Sequence, residues 1–121
     1  DQVADTTAVP HLDGRDQLAQ ARAGELLAWL TRQQDTPPPI WRSGQALDAA
    51  LDVRQALAEA GGRRRPQVLH AQAHWRIEPE RARLQVPVQA APRQPPHLLQ
   101  ASLQWRDGAW WVQSVALEPA P

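Results

Sequence analysis

Apolar side chains recur at Ala19, Ala23, Leu26, Leu27 and Leu30, positions i, i+4, i+7, i+8 and i+11, which is one stripe of an amphipathic helix. Asp13 stands where an N-cap would, Asp16 falls in the first turn, and Trp29 flanks the stripe. Pro37-Pro38-Pro39 cannot continue a helix and closes the segment. A second helix is predicted from the cap Ser43, with Leu47, Ala50, Leu51, Arg54, Leu57 and Ala58 on its inner face and Gly61-Gly62 as its stop. Arg54 on that face can lay its aliphatic stem along the core and send its head outward.

Beyond Pro66 the period changes from about four to two. Leu69, Ala71, Ala73, Trp75 and Ile77 alternate with Val68, His70, Gln72, His74 and Arg76, which predicts one half-buried strand. Glu78-Pro79-Glu80 suits a turn, and Ala82, Leu84, Val86, Val88 and Ala90 then form the inner set of a second strand. Pro87 has no N–H to donate, so this strand is expected at an edge or bulged there. After a loop from Pro92 to Pro96, Asp107-Gly108 marks a two-residue hairpin turn. Pairing Arg106 with Ala109 sets Trp105 against Trp110 and Leu103 against Val112. The inner face then reads Leu99, Ala101, Leu103, Trp105, Trp110, Val112, Ser114 and Ala116. Trp111, Gln113, Val115 and Leu117 point the other way. A longer turn with a bulge would invert the last strand.

These elements predict an α+β domain, with two N-terminal helices packed on one face of a four-stranded antiparallel sheet. The division is residues 1–12 as a flexible N-terminal segment, 13–117 as the domain and 118–121 as a Pro-rich tail. The order of elements carries a further suggestion. A helix ending in Gly-Gly, a strand bearing Trp75, and the hairpin Leu103-x-Trp105-x-Asp107-Gly108-x-Trp110 with Val112 resemble the C-terminal half of NTF2-like (cystatin-like) domains over about residues 44–117. That resemblance implies a helix-on-sheet cone, used elsewhere by small-molecule enzymes, binding modules and scaffold pieces of bacterial machines. Fold alone does not choose among those roles.

Composition narrows the chemistry. The chain has 121 residues and no cysteine, which excludes disulfides, thiolate nucleophiles and cysteine-ligated metals. Thirteen basic residues balance thirteen acidic ones, so no bulk charge draws the chain to nucleic acid or an anionic membrane. Every basic residue is Arg, a usage expected of a GC-rich bacterial genome. Methionine is absent even at position 1, from which a leader or membrane anchor upstream, and an extracytoplasmic, periplasmic location, are expected. No apolar run approaches the roughly 18 residues of a membrane span.

Candidate sites are few. His70 and His74 share a face of the predicted strand, but four residues there span about 13 Å, too far for joint ligation of one ion. His11 and His97 fall in loops. Arg63-Arg64-Arg65 follows the second helix and suits the negative end of its dipole better than a phosphate site. Asp48, Asp52 and Glu59 lie outside the apolar stripe and face water. With a predicted interior of Leu, Ala, Val, Ile and Trp, no residue is assigned a catalytic, metal-binding or cofactor-binding role, and no cofactor is expected.

Two readings of function follow. One is a non-catalytic assembly domain of a bacterial envelope or secretion-type complex. It would dock a protein partner or a second copy through the sheet, on an interaction face of Trp111, Gln113, Val115 and Leu117, because an apolar stripe on an open sheet face calls for a cover. Pro119 to Pro121 or the N-terminal segment are alternative covers. The other is a ligand pocket between helices and sheet, walled by Trp29, Trp75, Trp105 and Trp110. A small NTF2-like enzyme is a third, and would need His70, His74 or a helix acid to face that pocket.

Overall fold

The computed structural model describes residues 6–8, 14–62 and 64–119, the first three by their backbone alone. Helix α1 spans Arg15–Leu30 and buries Ala19, Ala23, Leu26, Leu27, Trp29 and Leu30, the expected stripe with Trp29 fully added to it. Gly14 occupies the cap position, and the cap read at Asp13 lies outside the described residues. The helix ends well before the proline triplet. The Thr31 hydroxyl donates to the Leu27 carbonyl at 2.7 Å, and Arg32 turns the chain into the left-handed region.

Helix α2 spans Gly44–Gly61, and the Ser43 hydroxyl accepts from the Ala46 N–H as predicted. Its buried face is Ala46, Ala50, Val53 and Leu57, rotated from the expected one, so that Leu51 is 43% exposed. Ala46 and Val53 enter that face in place of Leu51 and Ala58, and the small side chains at 46 and 50 let the helix sit close on the sheet. Gly61 answers a similar need at the other end: a Cβ there would lie 2.4 Å from the Ala90 carbonyl oxygen. Arg54 Nε donates to the Trp29 carbonyl at 2.9 Å, placing a cation at the C-terminal end of α1.

The expected four strands become five antiparallel ones plus a parallel addition. The stretch read as a single strand breaks into β2 (Gln67–Val68), a 3-10 turn at His70–Gln72, and β3 (His74–Ile77). Both β2 and β3 pair with the same side of β4 (Arg81–Gln89). Pro87 therefore lies in an interior strand, correcting the edge expectation. Its carbonyl accepts from the Leu69 N–H at 2.9 Å, so its donor-less nitrogen faces the interruption between β2 and β3, where no ladder bond is due. β5 (His97–Arg106) and β6 (Ala109–Glu118) complete the antiparallel order β3-β4-β5-β6. β1 (Thr6–Ala8), within the segment read as flexible, pairs in parallel with β3. β6 in turn runs through Glu118, into the stretch read as tail.

The last hairpin carries the most consequential correction. Its turn is the predicted one: Asp107 and Gly108 both have positive φ, 52° and 78°, and Arg106 pairs with Ala109. Leu103 pairs with Val112 as expected, but Ser102 pairs with Ser114, leaving Gln113 as an unpaired bulge. Every later residue of β6 changes face. Ser114 and Ala116 are exposed, whereas Val115 is in the core and Leu117 packs against it. The apolar stripe Trp111, Val115 and Leu117 is therefore divided between the two faces.

The core lies between the helices and the inner face of the sheet, with Leu84, Val86, Val88, Leu99, Leu103, Trp110 and Val112 buried under α1 and α2. Residues 40–42 bind the free edge of β6, through Val112 N–H to the Ile40 carbonyl at 2.7 Å and Arg42 N–H to the Val112 carbonyl at 2.8 Å. No described helix is long and apolar enough to cross a membrane.

Candidate functional site

The outer face of the sheet carries no helix, and its cross-strand rows follow from the register. Arg76, Arg83, Ser102 and Ser114 form one row, and His74, Gln85, Gln100 and Ala116 the next. A third holds Arg81, Gln104 and Trp111. Arg76, Arg81, Arg83, Gln85, Ser114 and Ala116 are exposed. Arg76 stands directly opposite Arg83, an arrangement of like charges that costs about 0.2–1 kcal/mol in a sheet. None of Arg76, Arg81 and Arg83 forms an ion pair or a side-chain hydrogen bond with the described residues. Small side chains at Ser102, Ser114 and Ala116 leave a shallow trough of about 310 Å³ beside Arg83, Gln85 and Gln100.

The rim of this face is held in place by polar contacts. Arg42 Nε donates to Gln104 Oε1 at 3.0 Å, and the half-buried Trp111 donates its indole N–H to the Arg106 carbonyl at 3.1 Å. The Ser102 and Ser114 hydroxyls share a hydrogen bond, and Gln100 donates to Glu118. Of the interaction residues read from sequence, Trp111 and the exposed Gln113 remain outside the core, while Val115 and Leu117 belong to the helix side. Hydrophobic period does not mark the arginine cluster. Its signal was the Arg81-x-Arg83 alternation, with Arg76 brought alongside by the Glu78-Pro79-Glu80 turn.

A second feature lies between α1 and the sheet. Gln20, Ala23, Gly24, Leu27, His70, Ala73, Trp75, Leu84 and Val86 line a crevice of about 220 Å³. Of the four tryptophans proposed as pocket walls, Trp75 alone lines it. The fully buried Trp29 packs edge-on against Trp41 at 5.3 Å, with the Arg54 guanidinium over its ring. Trp105 and Trp110 form a separate edge-on pair, also at 5.3 Å. The Arg15 guanidinium lies 4.3 Å above Trp105, and Trp110 Nε1 donates to the Arg15 carbonyl at 2.8 Å. These two pairs pin α1 to the neighbouring elements. The sequence pattern assigned no role to Trp41 or to Ile40, which is fully buried.

The 3-10 turn also separates the two histidines. His70 lines the crevice, whereas His74 projects from β3 on the outer face, so the shared face expected for them does not form. His70 stands there beside an amide, with no carboxylate among the lining residues. Among the described residues no group of three His, Asp or Glu side chains is placed to hold a metal. Asp48, Asp52 and Glu59 are exposed along α2, as expected. Arg64 and Arg65 are exposed beside a groove that continues to Gln89 and Pro92, and Arg63 lies outside the described residues.

Compared with protein-family models, with curated proteins and with solved structures, the chain matches none.

Proposed function

We propose that this is a non-catalytic interaction domain that docks a protein partner through the open face of its sheet. The observation that carries the reading is the row of arginines, Arg76 opposite Arg83 with Arg81 beside them, which form no ion pair with the described residues although Glu78 lines the same recess. Interfaces favour Arg and Trp, and Trp111 stands at the rim of the same face. The contact is polar and cationic at its centre, with an aromatic edge, in place of an apolar stripe. The crevice lining adds support, since a lone imidazole beside an amide does not make an acid–base pair. We read the helix-on-sheet architecture as NTF2-like (cystatin-like), supported by the Gly-Gly helix end, Trp75 and the Trp105–Trp110 hairpin.

The test compares two charge-reversed variants in cells that make this protein. Arg76→Glu/Arg83→Glu, with unchanged thermal unfolding, is expected to release the domain from its complex on a native gel. Asp48→Lys/Asp52→Lys on α2 is expected to leave the complex intact. A complex that survives reversal of both arginines contradicts the reading.

A second reading rests on the crevice. An apolar recess with Trp75 on its wall and Gln20 and His70 at hand suits a small apolar or aromatic ligand. Saturable heat on calorimetric titration with indole, lost in Leu27→Trp, would support it.

A further inference from the structure

We infer that the occupant of the sheet face is an extended acidic segment of the partner polypeptide, lying along β4 with its carboxylates spaced every second residue. The inference rests on the docking reading above and specifies its chemistry. Arg81 and Arg83 are two residues apart on one strand, hence about 7 Å apart, the same repeat that an extended chain gives its alternate side chains. Arg76 widens the cationic row to the neighbouring strand. Each guanidinium can take a carboxylate in a bidentate pair, and bringing an acid between Arg76 and Arg83 turns their mutual repulsion into attraction.

The surroundings favour a polypeptide over a phosphate group. A bound phosphate is best held by donors converging on one point, commonly with backbone N–H groups among them. Here Arg76, Arg81 and Arg83 line one recess of about 150 Å³, but the Glu78 side chain shares it, and the backbone groups of β4 beneath Arg81 and Arg83 are spent in ladders with β3 and β5. The segment therefore lies upon the sheet and does not join it as a strand. Gln85, Gln100, Ser102, Ser114 and Gln104 offer both donors and acceptors, the complement of a peptide backbone. The trough beside Ser102, Ser114 and Ala116 gives such a chain a shallow bed.

Charge is also segregated in this neutral chain. Asp48, Asp52 and Glu59 are exposed on α2, while the sheet face carries Arg76, Arg81 and Arg83 with Glu78 beside them and Glu118 at the end of β6. An acidic segment is steered toward the sheet and away from that helix, at a rate that falls as salt is added.

The test is fluorescence anisotropy with a labelled peptide alternating glutamate with serine, against the intact chain. Expected is saturable binding that weakens with salt and drops about tenfold, or about 1.4 kcal/mol, in Arg76→Gln/Arg83→Gln. Asp48→Asn/Asp52→Asn should leave it unchanged. Several results would overturn the inference: no binding, equal binding by a peptide of the same composition with its glutamates in one block, or preferential binding of inorganic phosphate or of vesicles containing anionic lipid. Self-association of the chain, seen by sedimentation and abolished by Asp48→Asn/Asp52→Asn, would overturn it too, by assigning the face to a second copy. If the peptide fails while arginine reversal still dissolves the cellular complex, this inference falls and the docking reading stands. If reversal leaves that complex intact, the docking reading falls with it.

Discussion

Ser102 faces Ser114 across the last hairpin, one step from Leu103 facing Val112, and the residue left over is Gln113. That single bulge decides which half of β6 looks at the helices. It places Val115 in the core and Ser114 on the open face, where the Ser102 and Ser114 hydroxyls bond to each other.

Face assignment in β6 can be checked directly by denaturation. Val115→Ser should lower stability by about 2–3 kcal/mol, combining lost apolar burial with a hydroxyl taken into the core. Ser114→Val should change it by less than about 1 kcal/mol, as surface substitutions do. An uninterrupted strand would reverse the two results.

The two fully buried indoles differ in their polar ends. Trp110 donates to the Arg15 carbonyl, whereas Trp29 Nε1 has no acceptor among the described residues. Conversion to Phe should therefore cost about 1 kcal/mol more at Trp110 than at Trp29, in urea midpoints read from circular dichroism. Truncation of Trp29 to Ala should cost about 3–5 kcal/mol, because Trp41 and Arg54 both pack on its ring.

Glycine substitutions probe the helix–sheet approach. Gly61→Ala meets the Ala90 carbonyl and should destabilise by about 1–3 kcal/mol through a forced backbone shift. Gly24→Ala, in the middle of α1 with open space around it, should stabilise by about 0.5–1 kcal/mol through helix propensity. Thermal melts of the two variants should move in opposite directions.

Much of the fold was legible because each element repeats one simple signal. The α1 stripe, the Ser43 cap, the inner set of β4 and the Asp107-Gly108 turn depend on local pattern and local chemistry, and each stands where its residues indicate. What escaped depends on neighbours. The 3-10 turn at His70–Gln72 interrupts a stretch whose alternation alone reads as continuous strand. Pro87 looked like an edge marker and is compatible with an interior position because of that interruption. The Gln113 bulge leaves no mark in a run of alternating residues, and it divided the predicted interaction stripe. The opposition of Arg76 and Arg83 is set by the β3–β4 register, which hydrophobic period does not specify.

Photocrosslinking in cells that make this protein tests the central claim most directly, with a benzophenone amino acid placed at Gln85 on the sheet face or at Gln55 on α2. A discrete crosslinked protein species from Gln85, absent from Gln55 and lost when Arg76 and Arg83 are both changed to Glu, is the predicted result. A species from Gln55 with none from Gln85 would contradict docking through the sheet.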